Sequence, residues 1–282
     1  MMRARAFIIL LYMVLLPLIA VAQGNVASEG LTESLYRVRL ARGSELNVLV
    51  SKRIGTNPEI AVLLFPGYPG ILRLKEEAGS VTYKLAGNFL IRARRHLSSD
   101  KVFTVAVDCP ADQWNACGDA YRSSNQHAAD IADVITAIKS EYGARQVYIA
   151  GTSYGTVSTS FLAGLLGDKI DGAVHTATLT DPPRGVMAVG IPMASFDWSK
   201  AKVPQLFIHH RDDPCDTTRY SSIVARKRGI PLITVQGVIN PRGSACEAFT
   251  AHGFVGRERV VMDAMHNWIT ERKLPAVVGE AE

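Results

Sequence analysis

Short apolar runs along this chain alternate with longer stretches whose apolar positions recur every three or four residues. Ile60 to Phe65 is continuously apolar, the pattern of a strand buried on both faces, and Val102 to Val107 repeats it. Val147-Tyr148-Ile149-Ala150 is a third such run; Ala173 to Leu179, Gln205 to Ile208 and Pro231 to Val235 read as later strands. Leu35 to Leu40 and Leu46 to Val50 flank Arg42-Gly43-Ser44 and predict an opening hairpin. Helices are predicted over Asn88 to His96 and over Asn125 to Ser140, where Ile131, Val134, Ile135 and Ile138 share one face. Two more are expected over Thr217 to Arg228 and Gly256 to Ile269, the last with Val260, Val261, Ala264, Met265 and Trp268 on one side. Strands alternating with helices predict an α/β fold, a mostly parallel central sheet with helices on both faces. In such sheets ligands bind at the carboxyl ends of the strands.

The first residues stand apart. Met1 to Arg5 is short and basic, and Phe7 to Ala22 is almost wholly apolar. Ala20-Val21-Ala22 then supplies the small-x-small pattern of a signal-peptidase site. At about 16 residues, interrupted by Pro17, the run is short for a span needing about 20. A cleaved signal over residues 1–22 is expected, hence an exported protein, periplasmic or secreted, with no stable membrane insertion after cleavage. Residues 23–282 then suit a single α/β domain of about 260 residues. Losing Arg3 and Arg5 lowers the formal net charge from +5 to +3. With no long basic run, nucleic acid is not an expected partner. Arg92, Arg94, Arg95 and Arg226-Lys227-Arg228 read as solvated helix faces. Four cysteines remain, Cys109, Cys117, Cys215 and Cys246; in an exported chain they predict two disulfides, and sequence permits three pairings.

Candidate chemistry centres on Gly151-Thr152-Ser153-Tyr154-Gly155. A strand ends on this Gly-x-Ser-x-Gly and Val157 to Ala163 follows as a helix, the setting in which a serine is held on a strained turn with its hydroxyl exposed. A serine hydroxyl is a weak nucleophile at neutral pH and needs a base, usually a histidine oriented by a carboxylate. Both occur downstream. His209-His210-Arg211-Asp212-Asp213 follows a strand, and Ala251-His252-Gly253-Phe254 lies between the last strand and the last helix.

The order Ser153, Asp213, His252 resembles that of the α/β-hydrolase superfamily, and the chain looks like one of its small exported serine hydrolases, esterase-like. The resemblance rests on Phe65-Pro66-Gly67-Tyr68, Gly151 to Gly155, His209 to Asp213 and His252-Gly253-Phe254. It implies the α/β-hydrolase fold and places the catalytic acid on Asp213, with Asp212 as the alternative and His210 where the family usually has glycine. It also assigns the oxyanion hole to the backbone N–H groups of Tyr68 and Tyr154. Between Leu179 and Gln205 there is little room for a large lid, which predicts an open site. Cys215 lies two residues after Asp213 and Cys246 six before His252, so a Cys215–Cys246 bridge would tie the acid loop to the histidine loop. Cys109–Cys117 would then stiffen the loop leaving the Val102 strand and make a wall of the site near Trp114.

The expected reaction is cleavage of an ester or other acyl bond by a Ser-His-Asp triad through an acyl-enzyme, on a small-molecule or polymer-borne ester. No cofactor or metal is called for. An acyltransferase or peptidase using the same triad, or a non-catalytic binding protein on the same fold, are the other readings.

Overall fold

The structure, a computed structural model, describes residues 28–181 and 193–280. The signal expected over residues 1–22 lies outside the described residues, as do residues 182–192, part of the stretch in which a lid would be inserted. In chain order, β1 (Leu31–Arg39) and β2 (Glu45–Arg53) form the predicted hairpin, followed by β3 (Ile60–Phe65) and the small hairpin of β4 (Lys75–Glu77) and β5 (Ser80–Thr82). Then come α1 (Phe89–Leu97), β6 (Val102–Val107), the single turn α2 (Asp119–Arg122), α3 (Asn125–Tyr142), β7 (Gln146–Thr152) and α4 (Gly155–Leu165). The second half comprises β8 (Gly172–Thr176), β9 (Gln205–His210), α5 (Tyr220–Arg226), β10 (Leu232–Gln236), α6 (Glu258–Glu271) and β11 (Val277–Gly279).

Nine strands make one sheet in the order β1-β2-β6-β3-β7-β8-β9-β10-β11. The β1–β2 and β2–β6 pairs are antiparallel; every later pair is parallel. The period of two in the central strands divides the core. Val62 and Leu64 of β3 point with Tyr148 and Ala150 of β7 toward α1 and α6, where they meet Phe89, Met265 and Trp268. Ala61, Leu63 and Phe65 point with Val147 and Ile149 to the other face, against Ile131, Val134 and Ile138 of α3 and Leu162 of α4. Both faces are thereby covered, which is why the strands read as unbroken apolar runs.

Three expectations are corrected. The strand predicted to Leu179 ends at Thr176, because Ala177 turns into the left-handed region (φ 41°) and the Thr178 N–H donates to His209 Nε2 instead of a strand neighbour. The helix predicted from Thr217 begins only at Tyr220, the preceding threonines being held in the Asp213 loop. Two of the three arginines of α1 are not solvated. Arg94 is fully buried and pairs with Glu33 of β1 at 2.7 Å, and Arg92 reaches Glu258 of α6 at 2.9 Å. Arg226 likewise turns inward, donating to the carbonyls of Thr180 and Phe196 over the Trp198 ring. No helix among the described residues is long and apolar enough to cross a membrane.

Candidate active site

At the carboxyl end of β7 the chain turns directly into α4, with Ser153 on the turn at φ 52°, a conformation costly for a residue with a Cβ. The turn is this tight because Gly155 has no side chain: a Cβ there would lie 2.0 Å from the Phe65 carbonyl oxygen. That close approach sets the start of α4 against the end of β3. The Ser153 N–H donates to the Thr176 carbonyl at 3.0 Å, and Thr156 Oγ1 donates to the Ser153 carbonyl at 2.6 Å, so neighbouring elements hold the strained residue.

His252 sits in a single 3-10 turn, Ala251–Gly253, that Thr250 caps by accepting the His252 N–H at 3.1 Å. Gly253 is required here too, since a Cβ would meet the Ala248 carbonyl oxygen at 1.9 Å. His252 Nδ1 lies 3.1 Å from Asp213 Oδ2, and both side chains are essentially buried. Asp213 also accepts from the Cys215 N–H at 2.9 Å and from Thr218 Oγ1 at 2.8 Å. Thr218 Oγ1 lies 3.1 Å from His252 Nδ1 as well. One buried hydroxyl therefore touches both partners, donating its proton to the carboxylate while its lone pair shares the imidazole N–H. Asp212, by contrast, is largely exposed and lies 3.9 Å from Arg211. The glycine position of the related loops is taken by His210, buried, whose Nδ1 accepts the Asp212 N–H at 3.0 Å and whose Nε2 reaches the Gly237 carbonyl at 3.0 Å.

Cys215 is bonded to Cys246, joining the Asp213 loop to the segment before His252, and Cys109 is bonded to Cys117. The wall beyond that second bridge is Gly118-Asp119-Ala120, whereas Trp114 lines a separate cavity with Asn47, Leu74 and Cys109. Trp114 is thus not part of the site.

Ser153 and His252 are walls of one cavity of about 1040 Å³, shared with Gly67, Tyr68, Tyr154, Phe89 and Leu179. Among the described residues, no acceptor takes the backbone N–H of Tyr68 or of Tyr154. The loop carrying Tyr68 comes close to Ser153: a Cβ on Gly67 would stand 3.3 Å from Ser153 Cβ. The Tyr68 and Tyr154 rings meet edge to face at 5.7 Å. Behind them lies Arg122, a buried guanidinium that sequence reading passed over. It stacks under the Tyr154 ring at 5.0 Å and donates to the Cys117 carbonyl at 3.0 Å, to Ser158 Oγ at 3.0 Å and, at 3.4 Å, to the carbonyls of Pro69 and Gly70. It thereby joins the Tyr68 loop, the disulfide loop and α4. Burial pulls its proton affinity below the ordinary arginine value, and burial with the 2.5 Å hydrogen bond to Asp119 pushes the Tyr154 phenol up.

The remaining histidines lie apart from this cavity. His175 bridges Thr159 and Gln205, and His266 meets Ser99 Oγ at 2.9 Å. His127 is buried between the Phe65 and Tyr121 rings.

The fold is similar to those of solved serine hydrolases. Est1E from Butyrivibrio proteoclasticus superposes with a TM-score of 0.57 at 16% identity, over 84% of this chain and 98% of its own. XC6422 from Xanthomonas campestris, described as an α/β serine hydrolase without lid, superposes with a TM-score of 0.55 at 15% identity, over 86% and 96%. This chain adopts the α/β-hydrolase fold. A putative dipeptidyl aminopeptidase IV from Bacteroides ovatus gives a TM-score of 0.59 at 12% identity, and the similarity spans 86% of this chain but 36% of that one. No family model matches the sequence, and none of the curated proteins matches it.

Proposed function

We propose that the protein is an exported serine hydrolase that cleaves a carboxylic ester through an acyl-enzyme. The observation that carries this reading is Ser153, on a strained strand-to-helix turn, opening into the same cavity as a histidine whose Nδ1 lies 3.1 Å from a buried aspartate. In the proposed reaction His252 Nε2 takes the Ser153 proton as Oγ attacks the ester carbonyl. Asp213 holds the imidazole in the tautomer with Nδ1 protonated and stabilises the imidazolium. The developing oxyanion is received by the N–H groups of Tyr68 and Tyr154. On collapse of the intermediate, His252 returns the proton to the leaving alcohol. The imidazole then removes a proton from water, which attacks the acyl carbon, and Ser153 recovers that proton as the carboxylic acid leaves.

Among the similar structures, one of Est1E holds ferulic acid, which makes aryl-substituted acyl esters sensible first substrates. Two disulfides accord with an oxidising compartment, and with the basic-then-apolar N-terminus they support export. Turnover of 4-nitrophenyl and hydroxycinnamate esters, followed with and without an added alcohol or a dipeptide amide, tests the reaction class. Ester hydrolysis abolished in Ser153→Ala and His252→Ala is expected. Full activity in Ser153→Ala would overturn the assignment, and transfer to the alcohol or cleavage of the amide in preference to ester hydrolysis would reassign it.

A further inference from the structure

Resting on the serine-hydrolase reading, we infer that the cavity selects esters carrying no negative charge, and that it discriminates against anionic acyl and alcohol groups. The chain is net basic, at +5, yet no lysine or arginine is found among the described residues that line the cavity over Ser153. Two carboxylates do line it, Asp119 and Glu247. The nearest arginines are turned to other work. Arg122 lies behind Tyr154 and donates to backbone carbonyls; Arg92 is occupied by the carbonyls of Gly87 and Gly253 and by Glu258.

An anionic substrate group would therefore shed its water against two like charges and find no cationic partner among the described wall residues. An uncharged group meets Leu85, Phe89 and Leu179 and loses little. A cationic group gains twice. It faces the carboxylates, and it can lie on the ring of Tyr68, which is 66% exposed at the cavity mouth. The same field acts on the product. Hydrolysis converts a neutral ester into a carboxylate, and the new charge is repelled by Asp119 and Glu247, which favours its departure. Glu247 is the side chain on which the test turns, because it is exposed and takes no part in the Ser153, His252 and Asp213 geometry.

Three fluorophosphonate probes with the same reactive head and chain length, ending in a neutral amide, a carboxylate or a trimethylammonium, are compared by the rate of Ser153 labelling in intact-mass spectra. The anionic probe is expected to label at least about tenfold more slowly than the neutral one at low ionic strength, with a gap that narrows as salt is added. The cationic probe should match or exceed the neutral one. Glu247→Lys should raise the ratio of anionic to neutral labelling rates severalfold, and Glu247→Gln should give an intermediate ratio. Anionic labelling as fast as neutral labelling in the wild type, or a gap that neither salt nor Glu247→Lys moves, would overturn the inference and leave the hydrolase reading standing. No labelling of Ser153 by any probe would overturn both.

Discussion

Thr218 shows how much of a site can rest on one hydroxyl. It is fully buried and stands within hydrogen-bond distance of both Asp213 and His252. Its O–H fixes which carboxylate oxygen the imidazole meets, a constraint that valine, of the same shape, cannot supply. Thr218→Val should lower kcat on a 4-nitrophenyl ester about tenfold with little change in KM, and Thr218→Ser should restore most of it. The two adjacent aspartates should separate cleanly. Asp213→Asn is expected to cost about 10³–10⁴ in kcat by stabilising the wrong imidazole tautomer. The exposed Asp212→Asn should stay within about twofold, as surface changes usually do. Loss of activity in Asp212→Asn but not Asp213→Asn would reverse the assignment. Sequence placed both aspartates in one loop and kept Asp212 as the alternative, because which of them turns to His252 is set by contacts of His210 and Thr218. Thr218 lies outside the segments that carry the resemblance, and His210 is where the sequence departs from the pattern it implied.

The strand–turn–helix around Ser153 was legible because its determinants are local: an apolar run, two glycines and a following helix. That the Asp213 segment follows one strand and the His252 segment another was legible for the same reason. Of the two links that join these segments, the Cys215–Cys246 bridge, which closes a 31-residue separation, was foreseen from its place beside Asp213 and His252; the other was not, because it pairs distant parts of the chain that no cysteine marks. Replacing both cysteines by alanine should cost about 2–4 kcal/mol in urea unfolding and lower kcat by loosening the His252 segment. Unchanged kcat in the folded variant would mean that the bridge stabilises without positioning. Arg122 is the other link, between the Tyr68 loop, the disulfide loop and α4. Arg122→Met, assayed per labelled serine so that only folded enzyme counts, should lose at least about tenfold in kcat with KM nearly unchanged. Arg122→Lys should recover part of that loss. The arginines of α1 show why charge alone misled: a basic helix face reads as solvated until β1 brings Glu33 against Arg94.

Across the whole molecule, the alternation of apolar runs and helical stretches was enough to foresee a parallel sheet covered on both faces. The short β4–β5 hairpin and β11 escaped because three residues carry no period. Three buried histidines give the fold a pH dependence. Burial pulls His175 and His209 to about 4, and burial with the nearby Arg122 charge pulls His127 to about 3. Below the ordinary histidine value of about 6.5, the unfolded chain binds protons that the folded chain refuses. Stability should therefore fall as pH drops from about 6.5 to 4, by about 1.4 kcal/mol per pH unit for each histidine. His127 has no hydrogen-bond partner on either ring nitrogen among the described residues, so His127→Phe should fold and should flatten that dependence by one histidine's share. An unchanged slope in urea midpoints between pH 7 and 5 would contradict this. The most direct measurement is labelling of the purified mature protein by a neutral fluorophosphonate, with the adduct mapped by peptide mass spectrometry. A single adduct on Ser153, absent in Ser153→Ala and strongly slowed in His252→Ala, is the predicted result. A folded wild type that resists the probe, or an adduct on another residue, would contradict the assignment of an activated serine on which the proposed chemistry rests.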